Sequence, residues 1–286
     1  MVRMILPFLS ALLFTFQAVA QEIRMEFLGA STTDLANPHD LKLSPNGKYL
    51  YVADVDNNRV AILDPDSLDF LAEFGDDHQR GTHDIDFDNS GKVYIADTHN
   101  NRVTIYKAAG VAALLIDEYS SRIRGPEGVL VHPNGLVYVA GAWSGNVVAY
   151  DKGKVVHELT GLSSPHDLEV TPDGSIWLSD AGNDRMLLLT QDLKTIREWS
   201  GPAYDFNGVR YQDVLPDGTV IAADKNNHQV KIIAPDGRLL LVMGDGSAGK
   251  GPNKFRTPEG VETRGDILWL SDSGNDRVVK YRMVRN

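Results

Sequence analysis

The segment Pro38-His39-Asp40-Leu41, followed by Tyr51-Val52-Ala53-Asp54 and Asn57-Asn58-Arg59, decides the fold, because altered copies of it recur along the chain. Six copies align on the residue that ends the second apolar stretch, and these residues are Asp54, Asp97, Gly141, Asp180, Asp224 and Asp272. They lie 43, 44, 39, 44 and 48 residues apart. A period of about 44 residues with strand-type content predicts the blades of a propeller.

Each copy has the content of four short strands separated by turns, such as Pro45-Asn46-Gly47 between the first and second strands of copy 1. The last copy ends soon after its third strand, residues 278–282, and lacks a fourth strand. Residues 23–28 precede the first copy and belong to no other blade. We therefore predict an all-β, six-bladed β-propeller, closed by pairing of this N-terminal strand with the last blade, which removes open sheet edges.

Residues 1–20 have the composition of a secretory signal peptide. Arg3 provides a positive start, residues 5–16 are apolar, and Ala18-Val19-Ala20 is a small-x-small cleavage sequence. We predict cleavage after Ala20, which leaves residues 21–286 as a single six-bladed propeller domain, secreted or periplasmic. No later stretch is apolar enough to predict a membrane span.

The composition narrows the possible partners. The formal net charge is −11, and a phosphate-binding face needs clustered basic residues, so the sequence argues against nucleic acid. An acidic chain suits a secreted monomer or a protein that attracts cations and metal ions. The chain has no cysteine, so an oxidising compartment is tolerated rather than exploited.

An acidic and a basic residue recur in most copies, and a group that every blade needs is most simply structural. We expect Asp to accept loop N–H groups and Arg to pair with a carboxylate or carbonyls of a neighbouring blade. These residues are Asp54, Asp97, Asp180, Asp272, Arg59, Arg102, Arg185 and Arg277.

The residue that starts each inner strand differs between copies and is always polar. Because inner strands surround the central channel, these residues should form a ring at one mouth: His39, His83, Glu127, His166, Asn207 and Glu259. The choice of Asn207 assumes a loop insertion, because the spacing of the other copies points to Arg210. Imidazoles with carboxylates favour a divalent metal site, with Zn²⁺ expected and Ca²⁺ or Mg²⁺ as alternatives. The simpler reading is a polar, water-filled channel mouth.

The Val-x-Ala-Asp and Asn-x-Arg elements resemble those of NHL-repeat six-bladed propellers over nearly all of residues 21–286. Within that class, the strand starts Pro38-His39, Thr82-His83 and Pro165-His166 resemble those of peptidyl-α-hydroxyglycine α-amidating lyases. That resemblance implies zinc on His39, His83 and His166 and a lyase reaction assisted by a Tyr or Arg. The candidates for this role are Tyr204, Arg80 and Arg210. The placement departs from the family, because an evenly spaced trio would be His83, His166 and Glu259.

Two other functions stay open. The chain also resembles streptogramin lyases and lactonases, which implies Ca²⁺ or Mg²⁺ with Glu127, Asn207 and Glu259. Alternatively, the propeller is a non-catalytic secreted module that binds a peptide, glycan or partner protein, with Trp143, Tyr204 and Phe255 as contact residues. Either way, the sequence predicts a small-molecule or peptide ligand at the channel mouth and leaves room for a protein partner.

Overall fold

The computed structural model describes residues 23–285, which form six four-stranded antiparallel sheets. Each sheet is one blade, and the inner strands of adjacent blades lie side by side around the central channel. The prediction of an all-β, six-bladed propeller is confirmed. The predicted signal peptide, residues 1–20, lies outside the described residues. Within residues 23–285, no helix is long and apolar enough to cross a membrane.

Strands are numbered in chain order, and the bounds follow blade by blade. The inner strands are β2 (Pro38–Leu43), β6 (Thr82–Phe87), β10 (Pro126–Val131), β14 (Pro165–Val170), β18 (Val209–Val214) and β22 (Pro258–Arg264). The second strands are β3 (Leu50–Asp54), β7 (Lys92–Asp97), β11 (Val137–Gly141), β15 (Ile176–Asp180), β19 (Val220–Asp224) and β23 (Ile267–Asp272). The third strands are β4 (Arg59–Leu63), β8 (Arg102–Ala109), β12 (Asn146–Asp151), β16 (Arg185–Leu189), β20 (Gln229–Ile233) and β24 (Arg277–Arg285). The outer strands are β5 (Phe70–Phe74), β9 (Ala112–Tyr119), β13 (Lys154–Thr160), β17 (Thr195–Trp199), β21 (Leu239–Met243) and β1 (Ile23–Ala30). Short 3-10 helices follow four of the second strands: Thr98–Asn100, Ala181–Asn183, Lys225–Asn227 and Ser273–Asn275.

The ring of blades closes through the first strand. Strand β1 pairs antiparallel with β24, so that Ile23 lies opposite Arg285 and Phe27 opposite Tyr281. Ile23 and Met25 also pack against the apolar cluster between blades 5 and 6. This confirms the predicted closure, and β1 is the fourth strand that the last copy lacks.

The hydrophobic core lies between blades. Ala53 and Val60 of blade 1 share one cluster with Ile85 and Ile95 of blade 2, and all four side chains are buried. The second strands are apolar on both faces because each blade packs against two neighbours. Burial of this surface is the main stabilising contribution.

The repeated Asp and Arg hold each loop to its own blade. Asp54 accepts hydrogen bonds from the Ala36 N–H at 2.7 Å, Asn57 Nδ2 at 2.8 Å and Arg59 Nε at 2.7 Å. The same Arg–Asp pair occurs in blades 2, 4 and 6 at 2.7–2.8 Å. The structural role is confirmed. The prediction of a carboxylate partner in a neighbouring blade was wrong, because Arg59 pairs with Asp54 of its own blade, whereas its Nη2 donates to the Asp34 carbonyl in the segment that precedes the blade.

Candidate functional site

The inner-strand register defines the channel-mouth ring. Pro38, Thr82, Pro126, Pro165, Val209 and Pro258 each pair with the residue that ends the adjoining second strand. The next residue is therefore the equivalent one in every blade, and in blade 5 it is Arg210. The choice of Asn207 was wrong, because β18 begins at Val209 and no insertion lies between Arg210 and Asp224. Asn207 is exposed, and its side chain accepts a hydrogen bond from Asn226 at 3.2 Å.

One side of the ring consists of uncharged imidazoles. The rings of His39 and His83 lie edge to face with centroids 4.5 Å apart. His83 Nδ1 lies 2.9 Å from the Gly81 carbonyl and 2.8 Å from Thr98 Oγ1. The Thr98 hydroxyl donates to the Pro126 carbonyl, so Nδ1 carries the donated proton and Nε2 keeps its lone pair. Burial lowers the pKa of His83 and lowers that of His39 further, where His83 and Lys225 add repulsion.

The other side of the ring is held by charge pairs. The Glu127 carboxylate contacts His166 Nε2, and His166 Nδ1 donates to the Ser164 carbonyl at 2.7 Å. Burial raises the pKa of Glu127, but the opposing charge and hydrogen bond of His166 outweigh it and bring the pKa below its usual range. Arg210 contacts the His166 ring and lies 3.6 Å from Glu259. These residues are therefore ionic and mutually restrained.

Two mouth residues were missed from the sequence. Lys225 Nζ lies 2.5 Å from Glu259, which is fully buried. The sequence did single out Lys225, because the other copies have an uncharged residue directly after the second strand. Tyr211 follows Arg210 on β18, is fully buried, and donates from its hydroxyl to the Glu127 carbonyl at 2.9 Å. Burial raises its pKa well above the usual value.

The remaining predicted residues do not join the ring. Tyr204 stacks between Trp199 and Phe206 at the blade 4–5 interface. Arg80 is exposed, and its backbone N–H donates to Asp97 at 2.7 Å. Phe255 is fully buried between blades 5 and 6. Of the aromatic residues proposed as contacts, Trp143 alone is exposed to any large extent, at 50%.

The donor types at the mouth suit a divalent ion on one side. His39 Nδ1 is buried without a hydrogen-bond partner, His83 Nε2 keeps its lone pair, and the buried Glu259 carboxylate contacts Lys225 Nζ at 2.5 Å. Imidazole and carboxylate are ligands that Zn²⁺ accepts. Within residues 23–285, however, no three His, Asp or Glu side chains are grouped closely enough to hold an ion. Lys225 lies against the carboxylate that would have to bind one.

A second polar layer lies one step deeper in the channel. It consists of the residues three positions after the ring: Lys42, Asp86, Leu130, Glu169, Asp213 and Glu262. Lys42 Nζ lies 2.8 Å from Glu169 and 3.9 Å from Glu262. Burial raises the pKa of Asp86 to about 7, although Lys42 lowers it. The sequence analysis did not single out this layer.

Between the two layers, the Asp residues that follow the ring histidines join neighbouring inner strands. Asp84 accepts from the Ile85 and Val129 N–H groups, each at 2.6 Å. Asp167 accepts from the Gln212 N–H at 2.7 Å. The contacts of Asp84 and Asp167 are with backbone amides, so their role is to connect blades.

Comparisons with known proteins agree with this architecture. The NHL repeat family model matches residues 83–106, so this segment of blade 2 carries an NHL repeat within the six-bladed propeller. No curated protein sequence matches the chain. Virginiamycin B lyase from Staphylococcus aureus is 14% identical, with a TM-score of 0.65 over 92% of this chain and 100% of the other. A structural genomics protein of unknown function from Bacteroides thetaiotaomicron is 16% identical, with a TM-score of 0.75 over 92% and 76%. An auxiliary nutrient binding protein from the same organism is 14% identical, with a TM-score of 0.72 over 92% and 77%. At these identities the likeness is one of fold.

Proposed function

We propose that the protein is a lyase-type enzyme that acts at the channel mouth and cleaves a C–N or C–O bond in a small-molecule or peptide ligand. The observation that carries this proposal is the pair of buried imidazoles, His39 and His83. Their lowered pKa keeps both neutral at pH 7, and neutral imidazole is the usual general base in proteins.

The residues divide into a base and an acid. His83 Nε2 accepts a proton from the substrate, and the electron pair left behind forms the new double bond while the C–N or C–O bond breaks. The leaving nitrogen or oxygen takes a proton from His166 Nε2, which contacts Glu127. Arg210 and Lys225 attract an anionic part of the substrate.

In the metal-dependent alternative, a divalent ion, Zn²⁺ or alternatively Ca²⁺ or Mg²⁺, would be held by His39, His83 and Glu259, and His83 would be a ligand instead of the base. Such an ion would polarise a substrate oxygen as a Lewis acid. The unpartnered His39 Nδ1 supports this part of the proposal. The ammonium of Lys225 competes for the same carboxylate, so Lys225→Met should strengthen metal binding.

The first experiment is elemental analysis of the purified protein beside His39→Ala/His83→Ala and His157→Ala, a control on outer strand β13. Metal in the wild type and control, lost in the folded double variant, would support the metal site. The same proteins are then incubated with an N-acyl-α-hydroxyglycine and with a cyclic ester. Bond cleavage that adds no water in mass defines a lyase. Added water would indicate a hydrolase, and no turnover with either would count against the enzyme.

A binding module is the second candidate, because Trp143 is half exposed beside the mouth. The similarity in fold to a nutrient-binding protein is consistent with that role. Saturable binding of a ligand that is recovered unchanged would favour the module over the lyase.

We also propose that the protein is secreted or periplasmic as a monomer, on the strength of the predicted signal peptide and the acidic composition. Cell fractionation and N-terminal sequencing of the mature protein test this. A mature chain that begins at Gln21 is expected, and a chain that retains residues 1–20 in the cytoplasm would contradict it.

A further inference from the structure

We infer that Trp143 and His99 form a stacking platform for an aromatic ring of the ligand, so that the substrate carries this ring beside the group that reaches His83. This inference rests on the proposed function for the chemistry at the mouth. It adds the class of molecule that the mouth recognises.

The platform is built from equivalent positions in adjacent blades. The second residue after each second strand is, in blade order, Asp56, His99, Trp143, Gly182, Asn226 and Gly274. Aromatic or imidazole side chains occur at this position in blades 2 and 3 and in no other blade. A side chain at Gly182 would collide with Ser163, and one at Gly274 would collide with Arg256 and Thr257. Large side chains therefore border the channel mouth next to His83, whereas blades 4 and 6 have no side chain at this position.

The two rings are held nearly parallel. The indole of Trp143 and the imidazole of His99 are 5.7 Å apart between centroids, with an interplanar angle of 21°. The indole lies over Gly125, because a methyl group there would collide with it, and Gly125 has a φ of +54°. His99 packs in the same way over Gly81 and is 6.4 Å from the ring of His83. Trp143 is thus fixed from one side while half of its surface faces solvent.

Blade 3 departs from the repeat at the loop that presents Trp143. Gly141 stands where four blades have the Asp of the Arg–Asp pair, and Asn146 stands in place of the Arg. Asn146 donates instead to Glu158 at 2.9 Å and to the Arg122 carbonyl at 2.8 Å. The loop of blade 3 therefore lacks the stabilising Arg–Asp pair and exposes a Trp. Proteins depart from local sequence rules mainly at functional sites, so this departure favours a binding site.

An aromatic ring is the occupant that this geometry favours. Parallel aromatic faces attract a further planar ring, which stacks on them. The other tryptophans, Trp177, Trp199 and Trp269, are buried. Trp143 is therefore the indole that a ligand in solution can contact, and its N–H signal reports binding directly.

The test is a titration of ¹⁵N-labelled protein with 3-phenylpropionate, whose carboxylate is the kind of anion that Arg210 and Lys225 attract in the proposed function. Its matched non-planar probe is 3-cyclohexylpropionate, and methyl β-glucoside is the sugar probe. We expect the Trp143 indole signal to shift with 3-phenylpropionate, with affinity about tenfold higher than for the cyclohexyl analogue. Trp143→Ala and Trp143→Leu should both weaken binding about tenfold, while Phe70→Ala, an exposed ring on outer strand β5, should not.

Several results would overturn the inference. Equal binding of the two propionates, unchanged affinity in Trp143→Leu, or a response to methyl β-glucoside alone would each do so. Binding through Trp143 without lyase turnover of any ring-bearing substrate would leave the platform standing and overturn the proposed reaction. Turnover of an aliphatic substrate without any Trp143 response would do the reverse.

Discussion

The channel mouth and the layer beneath it are built from the same six inner strands, yet they satisfy their polar groups differently. In the lower layer, Asp86 accepts from the Phe87 N–H at 2.7 Å and the Val131 N–H at 2.6 Å. Glu262 accepts from the Leu43 N–H at 3.0 Å. At the mouth, His39 Nδ1 has no hydrogen-bond partner, and the side-chain cations Lys225 and Arg210 lie against the Glu259 carboxylate.

This difference separates scaffold from site. Backbone amides bind the lower carboxylates and tie each strand to the next, so those carboxylates stabilise the ring of blades. An unpartnered buried polar atom costs about 1–3 kcal/mol, and a protein retains that cost where a ligand will meet the atom. The lower layer should therefore govern stability, and the mouth should govern chemistry.

The largest expected effect on the free energy of unfolding follows from replacing Lys42, the one cation in the lower layer. Four carboxylates surround Lys42, and although burial lowers its pKa, Glu169 and Glu262 raise it well above its usual value. Lys42→Met should lower the free energy of unfolding by about 3–5 kcal/mol at pH 8, because it leaves buried carboxylates without a counter-charge. The loss should shrink at pH 5, where Asp86, Asp213 and Glu262 take up protons because burial raises their pKa. Urea denaturation at both pH values measures this, with Leu130→Met as the control in the same layer. An equal loss at both pH values would refute the electrostatic explanation.

The next effect is a fall in stability as the pH rises. The pKa of Asp86 is raised from 3.8 to about 7, so between those values the folded state holds a proton that the unfolded chain has released. Stability should therefore decrease from about pH 4 to about pH 7, by about 4 kcal/mol for this group. Thermal unfolding of the wild type and of Asp86→Asn measures it, and the variant should show a flatter dependence. A wild type whose stability rises throughout this range would contradict the prediction.

A matched pair on strand β6 compares the two layers directly. Asp86→Ala removes the acceptor of two buried N–H groups and should cost about 2–3 kcal/mol in the free energy of unfolding. His83→Ala lies three residues earlier at the mouth and removes the hydrogen bond from Nδ1 to the Gly81 carbonyl, so it should cost about 1 kcal/mol while abolishing turnover. Urea denaturation of both variants measures the loss of stability, and activity assays measure the loss of turnover. The comparison fails if His83→Ala is the more destabilised protein.

The smallest effect concerns the pH profile of the proposed reaction. The pKa values of His39 and His83 are lowered, so both rings stay neutral below the usual value of 6.5. Activity should persist as the pH falls through 6.5 and decline only at lower pH. A half-maximal rate at or above pH 6.5 in a kcat/KM profile would show that a different group is the base.

Most of the candidate site was accessible from the sequence, because equivalent repeat positions occupy equivalent places around the axis. This reasoning located His39, His83, Glu127, His166 and Glu259 at one mouth. It failed at Asn207, where an assumed insertion overrode a spacing that pointed correctly to Arg210. It also failed for Tyr204 and Arg80, because a loop residue that is near the mouth in sequence can turn toward the blade interface or toward solvent. The metal at the mouth stays a prediction.

By itself, the sequence determined the number of blades, the strand that closes them and the pairing of Asp54 with its loop, because each depends on local periodicity and turn chemistry. The tertiary structure decided which side chains meet across the channel. The pairing of Lys225 with Glu259, the environment of Lys42 and the contact between Trp143 and His99 join residues from different blades. Such contacts depend on how far each side chain reaches across the axis, and a repeat of about 44 residues carries no information on that reach.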